Sequence, residues 1–152
     1  MSKVHIVTDS TSDISQALAE KLGIDVVPVH VNIDGVDYVD GLTISNQEFF
    51  KKLRTAKVLP KTAAPSPLAF LEVLKKYPKD EEVLIMTISA DASATYSSAK
   101  IAVEECKRNN VHLLDTRQAT LGLLALVHAA VAFRDKGDNA TRIIERLQEI
   151  SK

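Results

Sequence analysis

The chain has a single cysteine, Cys106, in 152 residues, and no tryptophan. One thiol excludes both an intrachain disulfide framework and a cysteine-based zinc site, and it fits a reducing cytosol. Glycine is scarce: Gly23, Gly35, Gly41, Gly122 and Gly137 are the whole set. Their spacing forms neither a GxGxxG dinucleotide fingerprint nor a phosphate loop ending in Gly-Lys-Ser/Thr, so standard nucleotide binding is disfavoured. Neither sign of charge dominates, with 19 basic and 20 acidic residues and a formal net charge of −1. That leaves no electrostatic footprint for nucleic acid. The longest apolar stretch, LGLLALVHAAVAF, runs for 13 residues, short of the roughly 20 a membrane-spanning helix needs. The first residues, MSKVHIV, lack the pattern of a secretory leader. A cytoplasmic protein without a membrane span is expected. His5, His30, His112 and His128 are scattered without ligand spacing, so no metal site is expected.

What is present is an alternation of strand-like and helix-like segments. Lys3 to Thr8 reads as a strand, followed by a helix pattern that reaches Leu22 and stops at Gly23. Residues 24–31, IDVVPVHV, read as a second strand. Pro28 places it at an edge or a bulge, because proline donates no ladder hydrogen bond. Asp34-Gly35 between VNI and VDYV is a two-residue hairpin signal. Short helices are expected over Asn46 to Ala56 and, after the Ser66-Pro67 cap, through Tyr77. Strands over 82–88 and 111–115 enclose a helix from Thr95 to Arg108, and two helices broken at Gly137-Asp138 close the chain. The length suits one domain over residues 1–152, with a substantial core. The fold class is therefore α/β: an open, mostly parallel sheet flanked by helices on both faces, with a small antiparallel hairpin excursion. Helix 121–133, apolar almost all round except for His128, reads as a buried helix, as the wall of an apolar pocket, or as a surface that a partner covers.

The chemistry concentrates in the loops. Three strand-like runs end in hydroxyl-rich or acidic segments, VHIVTDSTSD, VLIMTISADASATYSS and VHLLDTRQAT. Parallel strands would gather Ser10, Ser12, Ser89, Ser93, Thr95 and Thr116 at one sheet edge, where open α/β folds place their ligands. The KTAAPSP loop could approach the same edge. Ser12 and Ser66 directly precede helix patterns and read as helix caps. Ser93 and Thr62 are less well explained in that way. A loop hydroxyl beside a helix start can share a carboxylate or phosphate oxygen with exposed backbone N–H groups. An anionic head with an apolar tail suits such a site. Ser93 also sits on a strand-to-helix turn as a nucleophile would, although DASAT lacks the glycines of a nucleophile elbow.

Five segments in order, TDSTSD, VVPVHVNIDGVDYVDG, TAAPSPLAF, ISADASATYSSA and LLDTRQATLGL, resemble the amino-terminal domain of the DegV family of fatty-acid-binding proteins over nearly the whole chain. The resemblance implies non-catalytic binding of a long-chain fatty acid through its carboxylate, with Thr62 and Ser93 as the hydroxyl residues that hold it. Asp9, Ser10, Ser66, Ser89, Thr95 and Asp115 would form the surroundings of that pair. It further implies a partner fatty-acid kinase that receives the bound acid, and no cofactor. The chain departs from the family pattern at Ala63, Ala64, Ala90, Ala92, Ala94 and Leu124, where the family carries polar residues, leucine or glycine. It also ends at Lys152, where the family continues into a second domain. Two other readings fit the same residues: a stand-alone or redesigned structural domain without a ligand, and a serine hydrolase centred on Ser93. A surface left uncovered at the ligand edge would favour a homodimer.

Overall fold

The computed structural model describes residues 3–151. β1 (Val4–Asp9) leads through a single 3-10 turn (Ser10–Ser12) to α1 (Gln16–Leu22) and β2 (Ile24–Val27). A small module follows, made of β3 (His30–Ile33), β4 (Val36–Val39), α2 (Asn46–Leu53) and β5 (Lys61–Ala63). The chain then alternates through α3 (Pro67–Leu74), β6 (Glu82–Thr87), α4 (Thr95–Cys106) and β7 (Val111–Asp115), and closes with α5 (Thr120–Asp135) and α6 (Ala140–Ile150).

Two sheets result: a parallel one ordered β2-β1-β6-β7 and an antiparallel one ordered β4-β3-β5. The expected second strand over 24–31 is divided between them. Pro28 has no N–H to give to the ladder, and the Val29 N–H leaves the parallel sheet to bond Ser10 Oγ at 3.0 Å. The chain therefore turns away from β1 and starts a new sheet. Asp34 and Gly35, with φ of 49° and 85°, form the expected tight hairpin, whose two central residues both need positive φ.

Helix ends follow local chemistry. Ser15, Ser45, Ser66 and Asn139 each accept a backbone N–H in the first turn of α1, α2, α3 and α6. Ser12, expected to cap α1, instead donates to the Asp9 carbonyl at 2.9 Å and is buried; it closes the 3-10 turn, and the cap of α1 falls three residues later at Ser15. The expected ends at Ala56, Tyr77 and Arg108 shorten to Leu53, Leu74 and Cys106.

Alternation along β1 and β6 serves two cores. Val4, Ile6, Leu84 and Met86 face α1, α5 and α6. Val7, Val83 and Ile85 face α3 and α4. Right-handed crossovers explain this division: successive connections move along the sheet in opposite senses on either side of β1, so their helices fall on opposite faces. Contrary to the buried-helix reading, α5 buries only one stripe, Leu123, Leu126, Val127, Ala130 and Val131. Leu121, Ala125, His128 and Ala132 lie on its exposed side. Because the apolar outer positions are mostly alanine, the amphipathic pattern was hidden.

Candidate functional site

The strand order reverses between β1 and β6, and their carboxyl ends define the crevice where such sheets bind ligands. Asp9 closes β1. Although buried, its carboxylate accepts the Ile88 N–H at 2.8 Å, the Thr11 N–H at 3.0 Å and the Thr11 hydroxyl. Burial pushes this carboxyl above its ordinary range, and the bonds from Thr11 and Ile88 counter that only in part. On the other side, Asp115 at the end of β7 accepts the Ala90 N–H at 3.1 Å and the Arg117 N–H at 3.0 Å. Ser89 N–H reaches the Gln118 carbonyl at 2.9 Å, and the Thr116 hydroxyl bonds the Thr87 carbonyl at 2.7 Å. The β6–α4 loop is thus pinned from both flanks by two carboxylates.

That loop presents Ser93. The Ser93 Oγ lies 2.9 Å from Thr95 Oγ1 and accepts the Thr95 N–H at 3.2 Å. Local capping therefore uses part of Ser93, but a hydroxyl that accepts the Thr95 N–H still has its own proton to give. Among the helices from α1 to α6, α4 and α5 alone have alanine at the N-cap, Ala94 and Ala119, so neither cap residue offers a side-chain acceptor to the first turn. Both open at the carboxyl edge, where their partial positive charge favours an anion.

Thr62 arrives from the second sheet. It is exposed on β5 opposite Val31, two residues beyond Val29, whose N–H is held by Ser10. Ser10 opens the 3-10 turn after β1, Ser89 and Ser93 lie on the loop after β6, and Thr95 opens α4. Ser66 caps α3 through the Ala69 N–H at 3.3 Å. The structure shows no hydrogen bond between Thr62 and Ser93.

Sequence reading missed Thr8 and Thr87. Both are fully buried near the carboxyl ends of β1 and β6, and neither hydroxyl has a hydrogen-bond partner. Unpaired buried hydroxyls cost about 1–3 kcal/mol each. The available signal was a threonine near the end of each apolar run. Two clefts open on the surface, one of about 420 Å³ at the amino ends of the strands near Lys3, Gly23 and Arg134. The other, about 480 Å³, lies beside Asp115–Gln118 between α5 and α6. Neither is lined by Thr62 or Ser93, and the reversal of strand order is the stronger guide to the site.

A doubly covered α/β sheet with an anion-favouring carboxyl edge is the class that fold and edge define. The family model described as "Uncharacterised protein, DegV family" matches residues 3–152, so the chain belongs to the DegV family. A DegV domain-containing protein of Caldanaerobacter subterraneus subsp. tengcongensis is 39% identical over 150 residues, which cover 98% of this chain and 53% of the relative. A DegV family protein from Thermus thermophilus, described by its fatty acid binding, is 34% identical with a TM-score of 0.88, over 98% of this chain and 53% of that one. A Thermotoga maritima protein described as revealing a fatty acid binding function is 30% identical with a TM-score of 0.87, over 98% and 55% of the respective chains. The chain spans about half the length of the curated relatives it matches. Among the described residues no helix is long and apolar enough to cross a membrane.

Proposed function

We propose that this chain binds a long-chain fatty acid by its carboxylate at the carboxyl edge of the parallel sheet, with the Thr62 and Ser93 hydroxyls as donors. The observation that carries the reading is the seat of Ser93. Its hydroxyl stands at the opening of a helix whose alanine N-cap gives no side-chain bond to the first turn. The Thr95 N–H donates to the Ser93 oxygen, and the Ser93 hydroxyl keeps a proton that it can turn toward a carboxylate. The fatty acid binding described for relatives at 34% and 30% identity supports the same ligand class. In this reading the chain acts as a carrier, performs no catalysis and hands the acid to a kinase partner. A serine hydrolase would need an imidazole bonded to Ser93, and the partner of that hydroxyl is Thr95.

Isothermal titration with oleate below its micellar concentration tests the site. At about 0.5–1.5 kcal/mol per net hydrogen bond, and up to about 3 kcal/mol for a charged acceptor, Thr62→Val combined with Ser93→Ala should weaken binding by roughly tenfold or more. An unchanged affinity would reject the assignment. Lipid extraction and mass spectrometry of the purified protein distinguish a carrier from a stand-alone domain without a ligand.

A further inference from the structure

The small antiparallel module carries a surface that the carboxylate site does not use. Residues 50–61, FKKLRTAKVLPK, hold five of the chain's 19 basic residues and none of its 20 acidic ones. The same segment exposes apolar groups: Leu59 is 84% exposed, Val58 63% and Phe50 58%. α2 itself buries no residue. Phe49 is half-buried and packs against the Val31, Ile33 and Ile44 cluster, while Phe50 meets it edge-on and points outward. The tip is held in shape by Asp34, whose carboxylate accepts the Lys57 and Val58 N–H groups at 3.0 and 3.4 Å. Val36, 51% exposed, sits on the same hairpin.

The nearby carboxylates are already engaged. Asp34 binds that loop, Asp37 accepts from Asn32, and Glu48 accepts from Ser45. Lys51, Arg54, Lys57 and Lys61 close no ion pair among the described residues. Unpaired cations interleaved with outward phenylalanine, leucine and valine suit an interface that is anionic at its surface and apolar just beneath. An acidic protein surface would meet the charges but would give Leu59 and Phe50 no apolar layer to enter.

We propose that residues 50–61, with Val36, dock this protein on an anionic phospholipid bilayer. β5 begins at Lys61, so Thr62 follows directly from the docked segment. A lipid-soluble ligand leaving the bilayer would thus meet the proposed carboxylate donor next.

Co-sedimentation of the full chain with vesicles of equimolar phosphatidylcholine and phosphatidylglycerol tests this, with pure phosphatidylcholine vesicles as the reference. The vesicles contain no fatty acid, so a failure of the carboxylate site leaves this measurement unaffected. The protein should sediment with the anionic vesicles at low salt, remain in solution with the zwitterionic ones and be released in half-molar salt. Lys51→Gln with Lys57→Gln should weaken partitioning on the order of tenfold or more, since each basic residue near an anionic surface contributes about a fivefold factor. Leu59→Ser should weaken it severalfold, and circular dichroism of each variant checks the fold. Absence of sedimentation with anionic vesicles, or equal sedimentation of parent and both variants, would overturn the proposal. Retention on immobilised polyglutamate without vesicle binding would also overturn it and assign the patch to an acidic protein.

Discussion

Asp9→Asn is the most informative single change, because one carboxylate ties β1 to the loop that presents Ser93. Its two oxygens accept the Ile88 N–H, the Thr11 N–H and the Thr11 hydroxyl. Asparagine keeps one acceptor oxygen and turns an NH₂ group toward a donor, so either Ile88 or Thr11 loses its partner. A lost bond to a charged acceptor costs about 1.5–3 kcal/mol, and an unpaired buried donor about 1–3 kcal/mol. Removing a desolvated charge offsets part of this, and the expected net loss is about 2–4 kcal/mol. That is a large share of the roughly 5–15 kcal/mol that holds a domain folded. Urea unfolding followed by circular dichroism should show a lower midpoint with an unchanged slope. A loss under about 0.5 kcal/mol would refute the bracing argument. The pH dependence is a second check. Burial raises the Asp9 carboxyl in the folded state, so its contribution is complete below the unfolded-state value and declines as pH rises through the folded one. Asparagine does not titrate, and the stability gap between parent and variant should narrow from acid to neutral pH. A widening gap would show that burial does not dominate at Asp9.

Asp25 should behave in the opposite sense: partial burial pushes its carboxyl up, but hydrogen bonds from Lys76 and Tyr77 and the Lys76 charge outweigh it and hold it below its ordinary range. Its contribution is present above the unfolded-state value and is lost as pH falls through the folded one. With Lys76 largely exposed, Asp25→Asn should cost about 1 kcal/mol at neutral pH and nothing in strong acid, by thermal unfolding at both. A cost that persists in acid would contradict this. Thr120 opens α5 with φ of 46°, a left-handed conformation that a β-branched residue adopts only under strain, so Thr120→Gly should gain about 1 kcal/mol in chemical denaturation. A loss of stability would show that the neighbouring contacts of Thr120 outweigh its backbone strain.

Local chemistry wrote much of this fold into the sequence. The apolar runs of β1, β6 and β7, the Asp34-Gly35 hairpin and the Ser66-Pro67 helix start depend on neighbours within a few residues. Composition and periodicity therefore reveal them. The hydroxyl-rich loops after the strands were legible for the same reason, since parallel strands bring their carboxyl ends together. Other features depended on groups far apart in the chain. Pro28 marked an interruption, but only the bond from Val29 to Ser10 shows that the chain leaves one sheet for another. β5 has three exposed residues and no apolar alternation, so its pairing with β3, and with it the position of Thr62, exists only once β3 is in place. The roles of Asp9 and Asp115 were likewise settled by backbone donors 79 and 25 residues away. A hydrogen bond needs two groups at one distance and angle. The sequence specifies which groups exist, and the packed sheet decides which of them meet.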